Sequence, residues 1–143
     1  MTKDGPAGLG EAGSLTGYAS GPGMADLARL RFPGKWPKPP SPYELVQAVN
    51  RGDADAIRVV NEAADHLGKA LLWLIFTLDP DMVVFGSPGD VLGENLLTPL
   101  RDAVLRYGGG EARQLPFLSL TKLSAKLDDT AALMAVIDTF KQL

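Results

Sequence analysis

"DMVVFGSPGD", residues Asp81 to Asp90, passes from a short β-branched run straight into Gly, Ser, Pro and Gly, after which a helical pattern begins. Met82 to Phe85 is continuous and apolar, the pattern of a strand buried on both faces in a parallel sheet. A strand that ends in a glycine-containing turn and leads into a helix exposes backbone N–H groups. That makes Gly86, Ser87 and Gly89 candidate contacts for a nucleotide. The same residues also spell a helix start that needs no ligand, with Ser87 as capping hydroxyl, Pro88 at the first helical position and Asp90 three residues past the cap. The residues alone leave both readings open.

Downstream, Val91, Leu92, Leu96, Leu97, Leu100, Val104 and Leu105 keep helical spacing as far as "YGGG". Pro99 should kink or split that helix, because it removes a backbone donor and crowds the preceding turn. "PFLSLTKL" (Pro116 to Leu123) reads as a second strand, and Asp128 or Asp129 caps a final helix through Leu133, Val136, Ile137 and Phe140. Right-handed crossover makes the two strands parallel neighbours with helices packed on the sheet.

Upstream, "SPYE" (Ser41 to Glu44) is a capping box with Pro at the first helical position, so a helix runs to about Asn50. Gly52 stops it and Asp53 caps a new one. From there Ile57, Val60, Ala64, Leu67, Leu71, Ile75 and Leu78 keep a 3.6-residue period to "DP" at Asp79 and Pro80. Its last part, "ALLWLIFTL", is apolar around most of the circumference, which predicts cover on several sides and the centre of the core. Trp73 and Phe76 are expected there as core aromatics or part of a subunit interface. Gly68 costs about 1 kcal/mol in a helix interior relative to Ala, which points to close approach by another element.

Residues 1–42 look different. Glycines recur every few positions up to Gly23, which predicts irregular chain, followed by a short helix over Met24 to Leu30. Five prolines between Pro33 and Pro42 then predict a surface loop carrying Lys35, Trp36 and Lys38. The core is thus residues 43–143, in the order helix, helix, strand, helix, strand, helix. Two parallel strands are too few for a stable sheet on their own. Strands from a partner chain, self-association or more structure in the Gly-rich segment must make up the deficit, and a homodimer is the expectation.

Composition narrows the function. The chain has 143 residues, the size of one domain, with 45% hydrophobic and 22% charged residues. A formal net charge of −3 with no cluster of Lys and Arg argues against nucleic-acid and anionic-membrane partners. There is no Cys and a single His, His66, which leaves no thiolate metal site and makes a His-based one improbable, and fits a cytoplasmic protein. No basic-then-apolar leader is expected, and residues 70–78 fall far short of the ~20 residues of a membrane span. His66, beside Asp65, reads as a solvated or capped side chain, and Asp128, Asp129 and Thr130 as a helix cap.

Three segments together, "GEAGSLTGYASGPGM" (Gly10 to Met24), "GDADAIRVVNEAADHLGKALLWLIFTLDPDMVVFGSPG" and "DDTAALMAVI", resemble in order and spacing the C-terminal part of the ROK family of bacterial sugar kinases and sugar-responsive repressors. The resemblance implies an α/β fold, the C-terminal portion of an actin-like (RNase H-like) ATPase domain with a short parallel sheet covered by helices. It implies Mg-ATP as cofactor near Gly86 and its neighbours, and a sugar as substrate. The family's zinc-binding Cys positions fall here on Ala7, Leu9 and Ser14, so no metal is expected. Its sugar-holding Glu falls on Thr16. The family's phosphate-binding Asp-x-Gly-x-Thr and its catalytic Asp have no counterpart in this sequence, so no catalytic residue is assigned. Three functions remain: an oligomerisation or regulatory module without activity of its own, the nucleotide-side half of an ATP-dependent sugar kinase completed by other residues or a partner chain, and a non-catalytic sugar or nucleotide sensor.

Overall fold

The structure is a computed structural model that describes residues 5–8, 10–86, 89–109 and 116–121. Its elements are α1 (Leu15–Ala19), α2 (Gly21–Arg31), α3 (Pro42–Asn50), α4 (Ala54–Leu78), β1 (Met82–Phe85), α5 (Gly89–Leu92), α6 (Glu94–Tyr107) and β2 (Phe117–Leu120). The final helix expected after Asp128 lies outside the described residues, as do Ser87 and Pro88.

The central helix α4 starts where the sequence places it. Asp53 accepts from the N–H groups of Asp55 and Ala56, both at 3.1 Å, and Lys35 reaches the same carboxylate from the Pro-rich loop at 2.6 Å. α4 packs along α6, and Gly68 makes the crossing close. A Cβ at Gly68 would lie 2.6 Å from the Cβ of Ala103, so the glycine is there to let the helices approach. Asp65 ties the pair together on the surface, accepting from Arg106 at 3.1 Å and from the Tyr107 hydroxyl at 2.8 Å. Leu27 of α2, Val59, Val60 and Ile75 of α4 and Leu100 and Val104 of α6 form the fully buried centre of the core. Each such side chain contributes roughly 1.5–3 kcal/mol through burial.

β1 and β2 pair in parallel, Met82 opposite Phe117 and Phe85 opposite Leu120, as crossover through a helix requires. Their burial departs from the sequence reading. Met82 and Val84 are each more than half exposed, and only Val83 and Phe85 face the helices, so β1 is covered on one face. The apolar end of α4 behaves alike. Leu71, Leu72 and Ile75 are buried, but Trp73 is 79% exposed and Phe76 half exposed, so neither is a core aromatic. An all-round apolar pattern records that a helix needs cover and does not say which chain supplies it.

Two further expectations are corrected. The helix after β1 is split at Gly93, whose φ of 58° ends α5, and α6 continues through Pro99. The Gly-rich segment is not all loop. Ser14 and Ser20 cap α1 and α2 by accepting from Gly17 and Gly23, and α2 begins three residues before Met24. The glycines serve packing here. A Cβ at Gly23 would lie 1.8 Å from the carbonyl oxygen of Gly17, and one at Gly17 would lie 2.2 Å from that of Pro6.

Candidate functional site

The close crossing of α1 and α2 places Thr16 and Ala19 opposite α3 and leaves a cleft between them. The capping box of Ser41 and Glu44 fixes the start of α3, and Pro42 at that start abuts Gly21 at the start of α2. Val91 and Leu92 of α5 close a third side. The resulting cleft is open and has a volume of about 890 Å³. Its walls are mostly aliphatic. Among the described residues the polar side chains in it are Thr16, Ser20, Tyr43, Gln47 and Asn50, and no described Asp, Glu, Lys, Arg or His lines it.

Tyr43, Gln47 and Asn50 stand on one face of α3. The Gln47 amide donates to the Tyr43 hydroxyl at 2.6 Å, and the Asn50 oxygen accepts from Asn95 of α6 at 3.4 Å. Sequence reading missed all three. Their spacing of four and then three residues was the available signal, a polar stripe on one side of a helix whose other side carries Leu45, Ala48 and Val49 in the core. Thr16, singled out through the family resemblance alone, is exposed in the same cleft.

In the turn after β1 the described residues are Gly86 and Gly89. The N–H of Gly89 donates to the carbonyl of Gly86 at 2.7 Å, so the turn consumes that donor itself. Gly89 is buried, and a Cβ on it would meet Phe85 at 3.3 Å and Leu120 at 3.5 Å. Packing against the sheet thus accounts for this glycine. Gly86 is half-buried, and Ser87 lies outside the described residues. The helix that follows has four residues, too short to build an appreciable dipole at its start. The turn and the cleft are connected through α5, which begins at Gly89 and presents Val91 and Leu92 to the cleft.

Elsewhere the ionisable groups are in structural settings. His66 lies flat on Tyr18, ring centroids 3.7 Å apart at 17°, outside the cleft. Burial, helped by the Lys69 charge, pushes its pKa below the ordinary imidazole value, which favours the neutral ring. Lys35 is held by Asp53 and Asp55 and lies over the Trp36 ring. Among the described residues no group of three or more His, Asp or Glu side chains is placed to hold a metal ion. No described helix is long and apolar enough to cross a membrane.

Comparison with known proteins gives one consistent answer. The model of the ROK family matches residues 2–142. A ROK family glucokinase from Streptomyces griseus, solved in complex with glucose and AMPPNP, is similar with a TM-score of 0.73 and 25% identity, over 88% of this chain and 45% of that one. A ROK hexokinase from Thermus thermophilus is similar with a TM-score of 0.68 and 30% identity, over 88% of this chain and 42% of that one. No curated protein matches. The chain therefore spans less than half the length of both solved relatives, and its fold is α/β, part of an actin-like ATPase domain with a short parallel sheet and helices. From its family match over nearly every residue and its likeness to two ROK kinases, this chain belongs to the ROK family.

Proposed function

We propose that this chain is a nucleotide-side module of a ROK sugar kinase, which binds the base and ribose of an adenine nucleotide in the cleft of α1, α2, α3 and α5 and transfers no phosphoryl group by itself. The observation that carries the reading is the chemistry of the cleft wall. Aliphatic side chains with a few neutral hydrogen-bonding groups suit a flat, uncharged heterocycle. The described part of the wall offers nothing for the rest of the reaction. Phosphoryl transfer to a sugar needs a base to take the hydroxyl proton and cations or metal ligands to hold the triphosphate. Among the described residues neither a carboxylate nor a Lys or Arg lines the cleft, so the Mg-triphosphate end of ATP has no fit among these residues.

A second reading is favoured by the length of the solved relatives, more than half of which lies beyond the part matched here. In it, the remaining machinery is supplied by other polypeptide, and the assembled protein is an ATP-dependent sugar kinase acting in the cytoplasm. Thr16 then stands on the sugar side of the cleft, with a short neutral hydroxyl and no carboxylate to bind sugar hydroxyls. The two readings share the nucleotide site and differ in whether chemistry ever occurs.

Calorimetric titration of the chain with adenosine and with Mg-ATP, alongside an assay for glucose phosphorylation, tests the proposal. The expected result is binding of both ligands with similar affinity and no product. Turnover by the chain alone, or binding that needs the triphosphate, would overturn it.

A further inference from the structure

Tyr43, Gln47 and Asn50 lie four and then three residues apart on α3, so they form one row along the cleft. What each can offer a ligand is set by the bond it already makes. The Gln47 Nε2 donates to the Tyr43 hydroxyl at 2.6 Å, which occupies a lone pair of the phenol and leaves its O–H to donate elsewhere. The same bond leaves Gln47 Oε1 as an acceptor. At the end of the row Asn50 Oδ1 accepts from Asn95 Nδ2 at 3.4 Å, so the Asn50 amide keeps its N–H groups as donors. Among the described residues the Tyr43 O–H, the Gln47 Oε1 and the Asn50 Nδ2 have no further protein partner. Along the helix the row runs donor, acceptor, donor.

One edge of a purine has the matching order. In adenine N7 accepts, the 6-amino group donates and N1 accepts, whereas a 6-oxo purine presents an acceptor at the centre and a hydrogen on N1. The amino form meets Tyr43, Gln47 and Asn50 with three complementary pairs, whichever way round the edge lies. The oxo form sets its oxygen against Gln47 Oε1 and its N1–H against a donor, and only N7 is matched. In the structure the nitrogen of Gln47, and not its oxygen, is bonded to Tyr43, and this orientation makes the centre of the row an acceptor. Val46 and Val91 give the same cleft apolar surface for the faces of a ring. We infer that Tyr43, Gln47 and Asn50 read the six-position edge of the base and select a 6-amino purine over a 6-oxo purine; this rests on the reading of the cleft as a nucleotide site.

The test is calorimetric titration of the full chain with adenosine and with inosine, which differ only in the 6-substituent and the N1 hydrogen. Adenosine should bind about tenfold more tightly or better, the worth of one neutral hydrogen bond kept against one opposed. Gln47→Leu removes the central acceptor and should bring the two affinities within about threefold, chiefly by weakening adenosine. Gln47→Glu keeps an acceptor there and should keep the preference for adenosine. Tyr43→Phe removes the first donor and the partner that orients Gln47, so it too should narrow the ratio. Tyr43 is 70% exposed, so this variant decides should Gln47→Leu not fold. Equal binding of the two nucleosides, with both lost in Thr16→Trp, would overturn the inference and leave the nucleotide site standing. Tighter binding of inosine, or a preference for adenosine that survives both Gln47→Leu and Tyr43→Phe, would overturn it as well. No binding of either nucleoside would overturn both this inference and the reading of the cleft.

Discussion

Replacing Gly23 by Ala tests whether the glycines of the N-terminal segment are there for packing. In an isolated helix the change would stabilise by up to about 1 kcal/mol, since Ala is the better helix former. The structure predicts the opposite sign. The new Cβ would lie 1.8 Å from the Gly17 oxygen, 2.5 Å from its carbonyl carbon and 2.9 Å from the Thr16 oxygen, all inside the 3.0 Å that real Cβ atoms respect. These are backbone atoms, so no side-chain rotation relieves the contact and α1 must move off α2 by more than 1 Å. Overpacking of this kind costs about 1–3 kcal/mol, occasionally more, and a clash with fixed backbone belongs at the upper end, so the net destabilisation should be about 2 kcal/mol. Gly34→Ala is the control. Nothing lies within 4 Å of its added methyl, so it should be neutral or stabilise by about 0.4–1 kcal/mol through the unfolded chain. Urea unfolding followed by circular dichroism reads both. A Gly23→Ala protein as stable as the parent would refute the claim that close crossing of α1 and α2 dictates glycine here.

Leu100→Ala, at a fully buried site between α6 and α4, should cost about 2–5 kcal/mol in the same assay. Asp53→Ala removes the α4 cap and should cost about 1 kcal/mol; because Lys35 and the capped N–H groups hold the Asp53 pKa below its ordinary value, its contribution is present above the unfolded carboxylate pKa and is lost as pH falls through the folded one. For His66 burial lowers the folded pKa, so the unfolded chain binds the extra proton first. Stability should therefore decline as pH falls below about 6.5, and His66→Phe, which keeps a ring on Tyr18, should flatten that part of the urea-midpoint profile.

How much of this was legible in the sequence depends on how local the cause is. The starts of α3 and α4 were readable because Ser41, Pro42, Glu44 and Asp53 act on their own first turns. β1 and its parallel pairing follow from a short β-branched run and the crossover rule, and the cost of Gly68 in a helix interior points to the close approach that the structure shows. α1 and the start of α2 were missed because glycine density outweighed Ser14 and Ser20, two serviceable caps, and because the value of Gly17 and Gly23 lies in contacts between helices. The cleft was not readable as a cleft. Its walls come from three separate stretches of sequence, within residues 15–24, 42–50 and 91–92, and each wall residue alone looks like an ordinary surface or core position. In the "GSPGD" turn the sequence left a ligand and a helix start open, and the structure shows packing and a turn-closing hydrogen bond at Gly89.

The cleft of α1, α2, α3 and α5 is proposed to hold a nucleotide base without performing chemistry. The thermal unfolding midpoint of the chain with increasing adenosine and Mg-ATP tests it most directly, because a ligand that binds only the native state stabilises it by mass action, about 2.7 kcal/mol at a hundredfold excess over Kd. A saturable rise with both ligands, lost in Thr16→Trp, which fills the cleft from an exposed position of α1, is the predicted result. An unchanged midpoint up to millimolar adenosine and ATP would contradict the account and leave the chain as a ROK module without a nucleotide site of its own.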